Sequence, residues 1–262
     1  MTLPIYQVDA FTNQLFGGNP AAVVPLTTWL ADDLMQKIAA ENNLSETAFY
    51  IKNDNGFHIR WFTPTVEVAL CGHATLATAY VIFNIEKYTH DTLLFESKSG
   101  ILKVKKEENW LILDFPLQEV HPTEAPKGLI EGIGKTPLEM YRASDDYLLV
   151  FKTQQEIENL MPNYFVLKNI NARGIIVTAP AKSKKIDFVS RFFAPASGIN
   201  EDPVTGSAHT KLVPFWAKKL GKNKLLAEQV SSRKGFLKCE LLGNRVLMAG
   251  KAKLYLKGKI KV

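Results

Sequence analysis

The sequence predicts an α+β fold of two pseudo-symmetric domains, residues 1–116 and 117–262, each a curved, mostly antiparallel sheet wrapped around one central helix. Three observations predict it. The stretches "FHIRWFTPTVEVALCGHATLATAYVIF" and "IDFVSRFFAPASGINEDPVTGSAHTKLVPFW" follow one plan: a β-branched and aromatic strand, Phe-x-Pro, a polar loop, a small residue, Gly, a polar residue, Ala and a helical pattern. Phe62 and Phe193 lie 131 residues apart (193 − 62), half of the 262-residue chain. The helices opening at Gly72 and Gly206 carry almost no charge for three turns, the pattern of a helix buried on all sides. Several strands then follow each helix without regular helices between them, which excludes a doubly wound parallel sheet.

The other elements fall in place in chain order. "AAVVPLTTWLADDLMQKIAAE" reads as a strand and an amphipathic helix, and "ETAFYIK" as a short strand before the first repeat. "TLLFES", "ILKVKKE" and "WLILDF" complete the first sheet. In "DFPLQEVHPTEAPKG" the prolines Pro116, Pro122 and Pro126 break any regular element and mark the boundary. "DDYLLVFKTQQEIENLM" and "GIIVTAP" then echo the elements ahead of the first repeat, and "GFLKCELL", "RVLMAG" and "AKLYLKG" are the strands expected to close the second domain.

Hydrophobic content of 46% and charged content of 22% are ordinary for a globular chain. No apolar run reaches the ~20 residues that span a bilayer, and "MTLPIYQVDAF" lacks the basic-then-apolar pattern of a secretory leader. Two distant cysteines, Cys71 and Cys239, point to a reducing cytoplasm rather than a disulfide framework. The net charge of +6 fits a mild attraction for anionic substrates. Nucleic acid and membrane are not expected partners. The lysines of "KAKLYLKGKIKV" alternate with apolar residues, as on the wet face of a strand, and no basic-aromatic interleaving appears.

The chemistry narrows by elimination. His58, His73, His90, His121 and His209 show no metal-ligand spacing, neither cysteine lies in C-x-x-C, and both nucleotide-binding glycine motifs are missing, so neither a metal nor a nucleotide cofactor is expected. Ser207 and His209 stand two apart on a helix and point away from each other. Cys71, at a helix start, could serve as a thiolate base. Its counterpart in the second repeat is Thr205, however, and Cys239 lies in a separate strand, so a two-thiol racemase is excluded. The helix starts at Gly72-His73 and Gly206-Ser207 offer exposed amides to an anion. Each alone is explained by ordinary capping, but their recurrence favours binding in a cleft between the domains. Glu46 of "NNLSETAFY" begins a strand and by itself has only a weak claim.

"NLSETAF", "LCGHATLATA", "RFFAP" and "EDPVTGSAH", with "FGGNPAAVV" ahead of them, resemble the phenazine-biosynthesis isomerase family (PhzF-like), which has the cofactor-independent fold of diaminopimelate epimerase and proline racemase. The resemblance runs in order from residue 8 past Ser207 and covers essentially the whole chain. It implies a homodimer with an active site between the two domains. It also implies Glu46 as the catalytic base, with His73, Asp202 and Ser207 at the substrate. Gly72, Gly206 and Ser207 would hold an anionic end, and Asp202 an amino or hydroxyl group. The expected function is a cofactor-independent isomerase moving a proton within a small carboxylate. The alternatives are an amino-acid-type epimerase or racemase, and a catalytically silent small-molecule-binding protein of the same fold.

Overall fold

The computed structural model describes residues 1–262, which divide into two compact units: Met1–Phe115 with Leu247–Val262, and Pro116–Val246. In the first unit β1 (Thr2–Ala10) pairs antiparallel with β2 (Asn19–Leu26). The link between them turns at Gly18, whose φ of +63° and whose missing Cβ, which would lie 2.0 Å from the Ala10 carbonyl oxygen, both require glycine. Helix α1 (Asp32–Asn42) has Asp32 and Asp33 in its first turn and ends at Asn43 in the left-handed region. Met35, Ile38 and Ala39, at the i, i+3, i+4 spacing, pack it onto Ile5, Val24, Phe49 and Phe62.

From there the chain re-enters as β3 (Glu46–Asn53), parallel to β2, and turns back as β4 (Gly56–Phe62), which also pairs with the short β5 (Glu67–Val68). Helix α2 (Gly72–Tyr80) follows, with every residue from His73 to Ala79 buried. The hydroxyls of Thr75 and Thr78 donate to the carbonyls of Cys71 and Ala74, so these two polar side chains are satisfied within the helix itself. β6 (Thr92–Ser97) lies parallel to β4, and β7 (Gly100–Glu107) and β8 (Trp110–Pro116) continue antiparallel.

The second unit repeats this order. β9 (His121–Pro122), α3 (Leu129–Ile133) and β10 (Glu139–Ala143) lead into β11 (Asp146–Val150), which pairs antiparallel with β10. The short helices α4 (Gln154–Glu158), opened by a Thr153/Glu156 capping box, and α5 (Tyr164–Leu167) precede β12 (Gly174–Pro180), parallel to β11. β13 (Phe188–Ala194) pairs antiparallel with β12 and with β14 (Ile199–Asp202). Helix α6 (Gly206–Leu220) is buried along Ala208–Val213, and its Trp216 stacks on Phe188 at 5.6 Å. β15 (Lys224–Gln229) is parallel to β13 and antiparallel to β16 (Gly235–Leu242), ahead of β17 (Arg245–Gly250), which passes from the second unit into the first after Val246.

Each unit is therefore a mostly antiparallel, curved sheet with one buried helix, as the sequence predicts. Two details differ from the strand expectations. Lys224–Gln229, whose Leu, Ala, Glu and Gln suit a helix, is the strand after α6 because its burial alternates. The last strand, β18 (Ala252–Lys261), pairs with β1 in the first unit, whereas the expected division at 116/117 groups it with the second half. No helix is long and apolar enough to cross a membrane.

Candidate active site

In the first unit the structure brings Glu46, Cys71 and His73 together. Glu46 opens β3 beside Ala21 of β2, Cys71 caps α2, and His73 occupies the first turn of that helix. His73 Nε2 lies 3.2 Å from Glu46 Oε2, with both side chains largely buried, but off the axis a ring N–H would take. The two are in contact without a formed hydrogen bond, a looseness common before substrate arrives. Burial lowers the His73 pKa to about 3, so the ring is neutral and the contact is not an ion pair. Asn19, fully buried at the start of β2, directs Nδ2 at His73 Nδ1 from 3.2 Å, and Cys71 Sγ lies 3.5 Å from the same nitrogen.

One donor atom each from Glu46, Cys71 and His73 falls within 4.8 Å of the others, a spacing open to a metal ion. Glu46 meets Nε2 and Cys71 meets Nδ1, so the ring turns a different nitrogen to each of the two.

The second unit holds Asp202, Gly206 and Ser207. Asp202 ends β14 and is buried, and its carboxylate accepts from the Thr205 hydroxyl. Gln229 locks this turn: its Oε1 accepts from the Thr205 amide at 2.8 Å, and its Nε2 donates to the Asp202 carbonyl at 2.6 Å. Gly206 begins α6, and Ser207 accepts from Arg173 Nη1 at 3.1 Å. Arg173 also binds the carboxylates of Asp145 and Asp146, and the latter receives the buried Lys211 ammonium at 2.8 Å. Burial lowers the Lys211 pKa while Asp146 opposes that shift. His209 turns away from Ser207: its Nδ1 meets the Thr205 carbonyl at 2.8 Å, and burial lowers its pKa to about 4.

Sequence reasoning missed Asn19, Arg173 and Gln229, the last in a segment whose residues suit a helix. It also missed a pair of clasps. Arg60 grips Glu67 through Nε and Nη2 at 2.8 and 2.9 Å, and Arg191 grips Glu201 with the same atoms and distances. Their guanidinium carbons lie 5.2 Å from the Phe62 ring and 4.9 Å from the Phe193 ring. A signal existed: Arg60 and Arg191 share the 131-residue offset of the two phenylalanines (191 − 60). Glu201, the first acid of "EDP", is thereby engaged by Arg191, whereas the Asp202 carboxylate accepts from the Thr205 hydroxyl.

A family model described as "Phenazine biosynthesis-like protein" matches residues 8–258. An uncharacterized isomerase of Pseudomonas aeruginosa is 50% identical over 260 residues, 99% of each chain. The crystal structure of a PhzF-family phenazine biosynthesis protein from Enterococcus faecalis matches 100% of both chains with a TM-score of 0.96 at 46% identity. A hydroxyproline epimerase from Agrobacterium vitis, crystallised with trans-4-hydroxy-L-proline, is 9% identical and shares the fold alone, with a TM-score of 0.60 over 99% of this chain and 92% of its own. This chain belongs to the phenazine biosynthesis-like (PhzF) family and is an isomerase with the diaminopimelate epimerase-like fold.

Proposed function

We propose that this isomerase moves a proton within a small carboxylate-bearing substrate, using Glu46 as its one base and no cofactor. The observation that carries the single-base reading is the inequality of the repeats. Thr47 faces Phe62 across β3 and β4 as Ile175 faces Phe193 across β12 and β13, so the counterpart of Glu46 is Gly174. The counterpart of Cys71 is Thr205. A two-base racemase needs a proton carrier on each face of the reacting carbon, and the second copy offers none at either position.

Glu46 takes the proton from one carbon and returns it to another, while a conjugated system holds the electron pair. His73, neutral, donates a hydrogen bond rather than a proton. The amides at Gly72 and Gly206 and the Ser207 hydroxyl bind anionic oxygen, and Asp202 binds an amino or hydroxyl group. The family resemblance adds a homodimer, which light scattering would check, and the two distant cysteines fit a cytoplasmic enzyme.

The test begins with mass spectrometry of the ligand that co-purifies with the protein. On that substrate in deuterium oxide, the wild type should incorporate solvent deuterium with a change of double-bond position. Glu46→Gln keeps size and polarity but cannot take up a proton, so binding should persist while turnover falls at least ~100-fold. Inversion at a stereocentre would identify an epimerase, and absence of exchange a binding protein. Normal turnover by Glu46→Gln would sink the mechanism.

A further inference from the structure

We propose that Asn19 is a positioning residue that fixes His73 in the tautomer protonated on Nε2, so that the ring can only donate, on the Glu46 side, and proton uptake falls to Glu46. The side-chain amide nitrogen of Asn19 carries two hydrogens and accepts nothing. Directed at Nδ1 from 3.2 Å, it requires that nitrogen to offer its lone pair. A neutral imidazole has one hydrogen, which must then sit on Nε2. The thiol of Cys71, 3.5 Å from Nδ1, can also donate into that lone pair.

Asn19 is itself held in place. Gly18 makes a turn that only glycine fits, Pro20 follows, and the side chain has no exposure to solvent. His73 is 4% exposed, so water does not compete for Nδ1. Nε2, buried and without an aligned acceptor, is then a donor kept for the reacting molecule. The titratable groups against the ring are Glu46 and Cys71. With its pKa lowered to about 3 by burial, the ring stays neutral through the ordinary pH range.

The consequence for catalysis rests on Glu46 being the base, but the tautomer does not, and it can be read without substrate. Long-range nitrogen–proton NMR of histidine-labelled, ligand-free protein between pH 5 and pH 8 should show His73 with Nδ1 unprotonated and Nε2 protonated throughout. Asn19→Asp sets a carboxylate against Nδ1, so the ring should take up a second proton and titrate above about pH 6. If Asn19→Asp does not fold, the wild-type spectrum decides alone. A wild-type ring protonated on Nδ1, or an Asn19→Asp ring that titrates as the wild type does, overturns the proposal. Retained turnover in Glu46→Gln would defeat the single-base mechanism and leave this spectrum unchanged, so the two failures are distinguishable.

Discussion

The two units share a frame and differ in what they hang on it. Both carry the arginine–glutamate clasp over a Phe-x-Pro phenylalanine, and in both the residue before the helix glycine receives a side-chain bond at its carbonyl from four residues on, from Thr75 to Cys71 and between His209 and Thr205. The divergence lies at the positions proposed to face chemistry. Where the first unit has Glu46 and His73, the second has Gly174 and Ser207, and where the second has Asp202, the first has Val68. The repeated frame thus carries different polar side chains in its two copies while both keep the clasp.

The largest effect should come from making the copies alike. A Cβ on Gly174 would lie 2.0 Å from the tip of the Phe192 ring, in a buried strand. Gly174→Ala should cost about 2–3 kcal/mol through forced repacking, and Gly174→Glu more. Glu46→Ala removes a largely buried side chain without forcing any repacking and should cost less, about 1 kcal/mol. Denaturant midpoints check this. A Gly174→Ala protein as stable as the wild type would mean that the second copy excludes a base for some reason other than space.

The clasps offer the next contrast. Arg191 binds Glu201 and also donates to the carbonyls of Ile157 and Leu160, at 2.8 and 3.0 Å. Arg60 binds Glu67 and the exposed Asp32, and Glu67 has a second cation in Lys98 at 2.5 Å. Arg191→Met strands an acid and two carbonyls and should cost about 3 kcal/mol, whereas Arg60→Met leaves Glu67 with Lys98 and should cost about 1–2 kcal/mol. Equal losses in thermal melts would show that the carbonyl contacts contribute nothing.

How much of this was legible in the sequence follows from the kind of signal involved. The repeat, both buried helices and the strand pairs around them show in apolar periodicity and in the recurrence of Phe-x-Pro and small-Gly-polar-Ala. Strand Lys224–Gln229 was hidden because its residues favour a helix and only its pairing with Phe188–Ser190 and β16 makes it a strand. The destination of Ala252–Lys261 is a long-range pairing that no local pattern encodes. Among the proposed site residues, Glu46 and His73 needed family resemblance. Asn19 and Arg173 touch His73 and Ser207, contacts that depend on chain segments 54 and 34 residues away. The clasps were readable, had the repeats been aligned for charge as well as for small and aromatic residues.

Each unit also buries one neutral histidine against its helix start, which gives a pH test. His73 and His209 have native pKa values near 3 and 4, below the ordinary 6.5. Between 6.5 and those values the unfolded chain binds more protons than the folded one, so stability falls as the pH drops through that window and levels off below it. At ~1.4 kcal/mol per pH unit, each histidine should remove about 2 kcal/mol between pH 6.5 and pH 5. His209→Gln should halve the slope of midpoint against pH in that range. A slope unaltered by the substitution would place the acid sensitivity elsewhere.

The smallest effect is expected at Cys71, and its comparison with Thr205 explains why. Thr205 gives its hydroxyl to the Asp202 carboxylate and its amide to Gln229, so Thr205→Ala should loosen the turn that carries a proposed ligand group, at about 1–2 kcal/mol. Cys71 has a weaker contact, Sγ to His73 Nδ1 at 3.5 Å, where Asn19 already donates. A serine there is an ordinary residue ahead of a helix, and its hydroxyl can still donate toward the ring. Cys71→Ser should therefore fold with stability within about 1 kcal/mol of the wild type and turn over within about threefold of its rate. The counterpart position carries no thiol, so a one-sided proton transfer through sulfur would also have to displace Glu46 from its proposed role as the base. Parallel assays of Cys71→Ser and Glu46→Gln decide the matter: a loss in the serine variant as deep as in the glutamine variant would restore the thiol as the base and reduce Glu46 to its neighbour.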